Sequence, residues 1–157
     1  MLKDFLRQFN KADLVNFDNV LRIQDSFFLK PDDPKLRKNF NRFAEDVKTN
    51  GLKFVGIPLG SKSKRVFAPS IFLLELLRDA KVPFIKVNKK GEWLFVCGRD
   101  IQGANIYKAS CEKDQFALVL NLKAEPLGYG RLVRKPSGTR IAFKRIYDIG
   151  DYLRRER

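Results

Sequence analysis

EPLGYGRLVRKPSGTRIAFKRIYDIGDYLRRE, residues 125–156, decides how this chain is read. Glycines on either side of Tyr129, inside an apolar run, suit a strand with a tight bend or bulge. Pro136-Ser137-Gly138 reads as a turn. Residues 139–146 then alternate as a strand does. Ile141, Phe143 and Arg145 fall on one side, and Arg140, Ala142 and Lys144 on the other. The closing DIGDYLRRER reads as a short helix, with Asp148 near its start and Arg154, Arg155 and Arg157 at its end, where those charges suit the helix dipole. The order is strand, turn, strand, helix.

The same stretch is unusual in charge. Residues 131–145 hold six basic side chains, Arg131, Arg134, Lys135, Arg140, Lys144 and Arg145, and no acidic one. Over the whole chain of 157 residues there are 32 Lys plus Arg against 18 Asp plus Glu, a formal charge of +14. Residues 131–157 carry nine basic and three acidic residues, so this last sixth supplies +6 of the excess. A second basic cluster, Lys62, Lys64 and Arg65, is spaced by serine in GSKSKR and reads as a loop. Such an excess points to a polyanionic partner. With 44% hydrophobic residues and fourteen Phe, a packed core is feasible.

Other chemistry is narrowed by what the sequence lacks. There is no histidine, so triads built on histidine and histidine-ligated metals are excluded. Cys97 and Cys111 have neither a disulfide framework nor a zinc spacing, and read as small core residues in a reduced, intracellular protein. No GxxxxGK[ST] or GxGxxG phosphate loop occurs, and Gly128-Tyr129-Gly130 is a bare GxG. No apolar run approaches the ~18 residues of a membrane span, and the N-terminus lacks a signal-peptide pattern. No metal, cofactor or membrane partner is expected.

Working outward, an α+β pattern emerges. Leu2, Phe5, Leu6 and Phe9 recur at helical spacing. Residues 20–23 and 27–29 flank Asp25-Ser26 as a hairpin. Pro34 opens a helix carrying Leu36, Phe40, Phe43 and Val47, which Gly51 ends. Residues 52–57 and 65–68 read as strands around the basic loop. Ser70 caps the apolar helix IFLLELLRDA. Residues 84–97 read as strand, NKKG turn and strand, with Trp93 and Phe95 facing the core. Residues 116–122 form a buried strand that holds Phe116. Strands dominate after residue 83, which sets a boundary near Lys81-Val82-Pro83: an α/β domain over 1–82 and a small β-barrel over 83–157.

WLFVCGRDI, EPLGYGRLV and IYDIGDYLRRE, in this order, resemble a C-terminal PUA domain, the module named for pseudouridine synthases and archaeosine transglycosylases. VGIPLGSKSKRVFAPSIFLLELL resembles the N-terminal domain of the Nip-seven family of large-ribosomal-subunit biogenesis factors. The resemblance covers residues 50–157 well and the first fifty loosely. It implies an α/β domain followed by a PUA β-barrel, and a non-catalytic protein that binds pre-ribosomal RNA. It further implies pre-ribosomal protein partners, with a monomer in an archaeal cytoplasm or, for a eukaryotic source, the nucleolus.

The expected RNA contacts are Arg131, Arg134, Lys135, Arg140, Lys144 and Arg145, because arginine and lysine supply phosphate contacts. Arg140 and Lys144, four apart on a strand, would project to one side roughly 13 Å apart at ~3.3 Å per residue. Secondary contacts to RNA or a partner are Lys62, Lys64, Arg65, Tyr129, Arg154 and Arg155. The alternative class is an RNA-modification enzyme or its accessory RNA-binding subunit. Against it, the first eighty residues show no recognisable catalytic Asp motif or cofactor loop.

Overall fold

Ser70 is the clearest local determinant. Its side chain accepts a hydrogen bond from the Leu73 amide at 3.1 Å, and the helix α2, Ile71–Asp79, follows with Leu73, Leu74 and Leu77 fully buried. The computed structural model describes residues 1–34, 37–38, 56–63, 66–151 and 154. The expected helix from Pro34 to Gly51 lies almost wholly outside the described residues, as do Lys64, Arg65 and Arg155.

The first half builds an antiparallel four-stranded sheet of β1 (Val20–Ile23), β2 (Ser26–Leu29), β3 (Ile57–Ser63) and β4 (Val66–Pro69), in that order. The hairpin expected at residues 20–29 is present, with Gln24 and Asp25 as its turn. GSKSKR is not all loop: Gly60, Ser61, Lys62 and Ser63 belong to β3, and Lys62 pairs with Phe67 on β4. Helix α1, Leu2–Arg7, packs Leu2, Phe5 and Leu6 onto this half, as their spacing predicts.

The second half is a six-stranded sheet, with β5 (Phe84–Val87), β6 (Ile101–Gln102), β7 (Ile106–Ala109), β8 (Phe116–Leu120), β9 (Pro126–Leu132) and β10 (Ile141–Asp148). Its order is β6-β10-β9-β8-β5-β7, with β5 and β8 parallel and the other pairs antiparallel. This nearly closed sheet with few helices makes the chain α+β.

Residues 88–97 depart from expectation. They form a helix, α3 (Lys89–Val96), in place of a turn and strand. The β-forming side chains of EWLFVC mislead, because the capping chemistry wins: the Asn88 side-chain Oδ1 accepts from the Gly91 amide at 2.8 Å. Gly91 and Phe95, one helical turn apart, are buried, while Trp93 is 64% exposed. Cys97 is exposed and so is not the core residue expected, whereas Cys111 is half-buried against the second apolar cluster.

Two apolar clusters lie on opposite faces of β8 and β9. Leu118, Leu120 and Tyr129 pack against α1, α2 and the first sheet. Ala117, Val119, Leu127 and Leu132 pack with Phe95 and Phe143. With both faces covered, 116–120 reads as one continuous apolar run, as buried strands do.

Candidate nucleic-acid interface

Ile141, read from its alternation as an inward residue, is 42% exposed. The register of β10 against β6 shifts between Ile141 and Phe143, so an irregularity interrupts the strict alternation. Ala142 and Phe143 are both buried and Lys144 is exposed. Arg140 is exposed too but precedes the strand. The expected row of Arg140 and Lys144 on one strand face therefore does not form.

What forms instead is an open groove of about 770 Å³ between the C-terminal end of α3, the following turn, β6 and the start of β10. Trp93, Cys97 and Ile141 line it with Arg99, Asp100, Gln102 and Arg145. An exposed indole and an exposed isoleucine lining one groove give a surface on which a planar ring can stack. Arg99 is exposed at the groove, and Arg140 adjoins Ile141, which pairs with Gln102. The loop carrying Arg134, Lys135 and Arg140 is seated by backbone bonds: Gly103 donates to the Arg140 carbonyl at 3.0 Å and Ala104 to that of Gly138 at 2.7 Å. Gly103 is required there, because a Cβ would collide with the Ser137 backbone. Arg134, Lys135 and Arg140 make no side-chain hydrogen bond or ion pair among the described residues, which leaves their charge available to an anion.

The groove wall is fixed from behind. Asp148 is 0% exposed, so its carboxylate is turned inward and not to solvent. Its carboxylate accepts from Arg145 at 2.9 Å and from both terminal nitrogens of Arg154, at 2.9 and 2.7 Å. Arg154 also donates to the Val96 carbonyl, and Arg145 donates to that of Gly98 at 3.1 Å. The Arg145 amide donates to Asp100 at 2.8 Å. Hydrogen bonding to Asp148 raises the Arg154 pKa above its ordinary value. Arg145 and Arg154, expected as RNA contacts, are thus committed to tying the end of β10 to the end of α3.

Tyr129 is also relocated. It is 2% exposed, its hydroxyl donates to the Phe67 carbonyl at 2.9 Å, and its ring meets Phe5 edge-on. Burial pushes its phenol well above the ordinary range. It belongs to the core joining the two halves, and no base can stack on it in this packing. Gly128 beside it has φ +146 and lets Tyr147 approach closely, which explains the GxG spacing. Arg131 and Lys144 are exposed and directly opposite each other on β9 and β10, on the sheet face away from the groove. Lys62 is exposed on the first sheet.

Sequence reasoning missed Trp93, Ile141 and Arg99. The available signal was the Asn88 cap, which turns α3 into a helix and sends Trp93 outward when Phe95 goes in.

Residues 83–157 match the family model described as the UPF0113 PUA domain. This part of the chain has the fold of a PUA domain. A UPF0113 protein of Aeropyrum pernix is 36% identical over 103 residues, 64% of this chain and 56% of that protein. The chain therefore spans about half the length of this curated relative. A crystal structure of a hypothetical protein from Pyrococcus horikoshii has the same overall fold, with a TM-score of 0.57 at 16% identity, over 97% of this chain and 89% of that one. A PUA domain from A. pernix, solved with tartrate, aligns at a TM-score of 0.48 and 15% identity, over 55% of this chain and 54% of that one.

Proposed function

We propose that the protein binds RNA without catalysing a reaction on it, through the groove between α3 and β10 and the basic loop at 134–140. The observation that carries this reading is Trp93: a large aromatic side chain left 64% exposed in the same groove as Ile141, on a wall tied down by the buried Asp148 network. An unstacked base would lie on the indole. Arg99, Arg134, Lys135 and Arg140 would take the phosphates on either side, giving affinity and register with little sequence preference. The PUA match over 83–157 and the charge of +14 support the same reading.

The finer assignment is a factor acting in large ribosomal subunit biogenesis, alongside pre-ribosomal proteins, in the cytoplasm of an archaeal cell. It rests on the resemblance to the Nip-seven family. Crosslinking in cell extract, followed by sequencing of the attached RNA, tests it: large-subunit fragments are expected, and transfer RNA alone would point to the RNA-modification alternative.

The binding mode itself is tested with a single-stranded RNA oligomer. Trp93→Ala removes one stacking platform, worth about 1–3 kcal/mol per base, so affinity drops at least fivefold. The melting temperature stays in place, because the side chain is mostly in water. With about four phosphates neutralised, the log–log salt slope is roughly −3 for a single strand, and Arg140→Ala lowers it by about 0.7. Unchanged affinity in Trp93→Ala with the fold intact would remove the groove from the binding site.

A further inference from the structure

A second groove, of about 410 Å³, runs along the seam between the halves, where α1 and β4 meet the outer face of β8, β9 and β10. Phe5, Phe67 and Tyr129 line its deep part; Met1, Val66, Phe116 and Ile146 also line it, with Asp4 and Gln8 on the α1 side. Arg131 and Lys144 stand at its margin. Arg131 is opposite Phe116 on β8 and opposite Lys144 on β10, and it lies two residues from Tyr129 on the same strand face. Lys144 is likewise two residues from Ile146.

These two cations are cross-strand partners, so their side chains start about 5 Å apart, and like charges directly opposite destabilise a sheet. Neither makes a side-chain hydrogen bond or ion pair among the described residues. An apolar slot beside an opposed pair of cations fits a ligand that is apolar at one point and anionic next to it.

We propose that the seam groove docks a short acidic peptide from a protein partner. One apolar side chain sits against Val66, Phe116 and Ile146, and flanking carboxylates meet Arg131 and Lys144. Peptide is favoured over RNA for two reasons. A base brings a polar edge that needs hydrogen bonds, and the hydroxyl of Tyr129 is already spent on Phe67. Asp4, held charged by the amino terminus and Arg7, faces the α1 side of the groove. A phosphate backbone is charged at every step and would be repelled there, whereas a peptide places a neutral residue beside it. Because Arg131 and Lys144 point away from the Trp93 groove, the partner and RNA are held on opposite faces of one sheet.

The test uses the full chain, two fluorescent probes and fluorescence anisotropy at ~200 mM salt, where distant charges are screened. One probe is a capped heptapeptide with a single leucine, aspartates and glutamates on one side of it and glycine and serine on the other; the second is oligouridylate. The wild type is expected to bind the peptide at micromolar to submillimolar concentration. Arg131→Ala with Lys144→Ala, and separately Val66→Asp, lower that affinity at least tenfold, while RNA affinity changes less than threefold. Both sites are exposed at the rim, and the melting temperature checks that each variant folds. No peptide binding at ~1 mM, equal binding of a peptide lacking the leucine, or peptide affinity unchanged in both variants overturns the proposal. Loss of RNA binding in the double variant, with no peptide binding, assigns the face to nucleic acid instead.

Discussion

Asp148 shows how much one buried residue determines here. Its carboxylate has no exposure, yet it is matched by two arginines whose side chains remain 27% and 33% exposed. Those arginines in turn satisfy carbonyls at the end of α3, which would otherwise be left without partners. Asp148→Asn keeps the shape and removes the charge, so an amide must face donors on both sides. Breaking a buried ion pair costs about 3–5 kcal/mol; with both arginines partly in water, the loss should be nearer 2 kcal/mol. It is read as a fall of several degrees in melting temperature together with weaker RNA binding, since the groove wall loosens. Retained stability would mean that the arginines are solvated well enough not to need the acid. The groove also contains its own reporter. Cys97 is exposed on the wall, whereas Cys111 is half-buried and burial raises its thiol pKa. A maleimide at neutral pH should label Cys97 first, and saturating RNA should slow that labelling severalfold. Mass spectrometry of the two cysteine peptides checks both statements.

At the level of elements, the sequence was most legible where local chemistry and burial agree. Each of four elements carries one clear local signal: the helical stripe of α1, the turn of the 20–29 hairpin, the Ser70 cap of α2, and the unbroken apolar run of the strand at 116–120. It was least legible where a long-range partner decides. EWLFVC has the composition of a strand, but the Asn88 cap and the packing of Phe95 under the sheet make it a helix. The interface suffered twice from this. Trp93 was read as core because its element was misread, and the Arg140–Lys144 row failed because the register shift against β6 cannot be seen in a two-residue alternation. Arg145 and Arg154 look like any other surface arginines until Asp148 is found beneath them. The basic loop owes its seat to one position, Gly103. Gly103→Ala puts a methyl group into the Ser137 backbone, so the loop must lift and the bonds to the Arg140 and Gly138 carbonyls must lengthen. About 1–3 kcal/mol of stability should be lost, as for other overpacked sites. The affinity for RNA should fall several-fold more than in a Thr139→Ala control, measured side by side in thermal melts and binding titrations.

For the molecule as a whole, the seam between the halves is the controlling feature. Leu118, Leu120 and Tyr129 belong to the PUA half, yet their side chains lie in the cluster built by α1, α2 and the first sheet. The Tyr129 hydroxyl reaches Phe67, 62 residues earlier in the chain. Residues 83–157 expressed alone would turn this face to water. Fully burying a leucine is worth about 1.5–3 kcal/mol, so exposing Leu118 and Leu120 alone forfeits several kcal/mol of a typical domain's margin. The fragment also exposes a contiguous apolar patch of the kind that drives self-association. It should therefore melt well below the intact chain and form dimers or larger species at micromolar concentration, seen by light scattering. It should still bind RNA, because the Trp93 groove and the 134–140 loop lie wholly within it. Replacing Leu118 and Tyr129 with Lys and Gln in the fragment should restore the monomer, while the same pair in the full chain should unfold it by burying an unpaired charge. A fragment that stays monomeric and melts with the intact chain would show that the seam adds no stability and that the two halves merely adjoin.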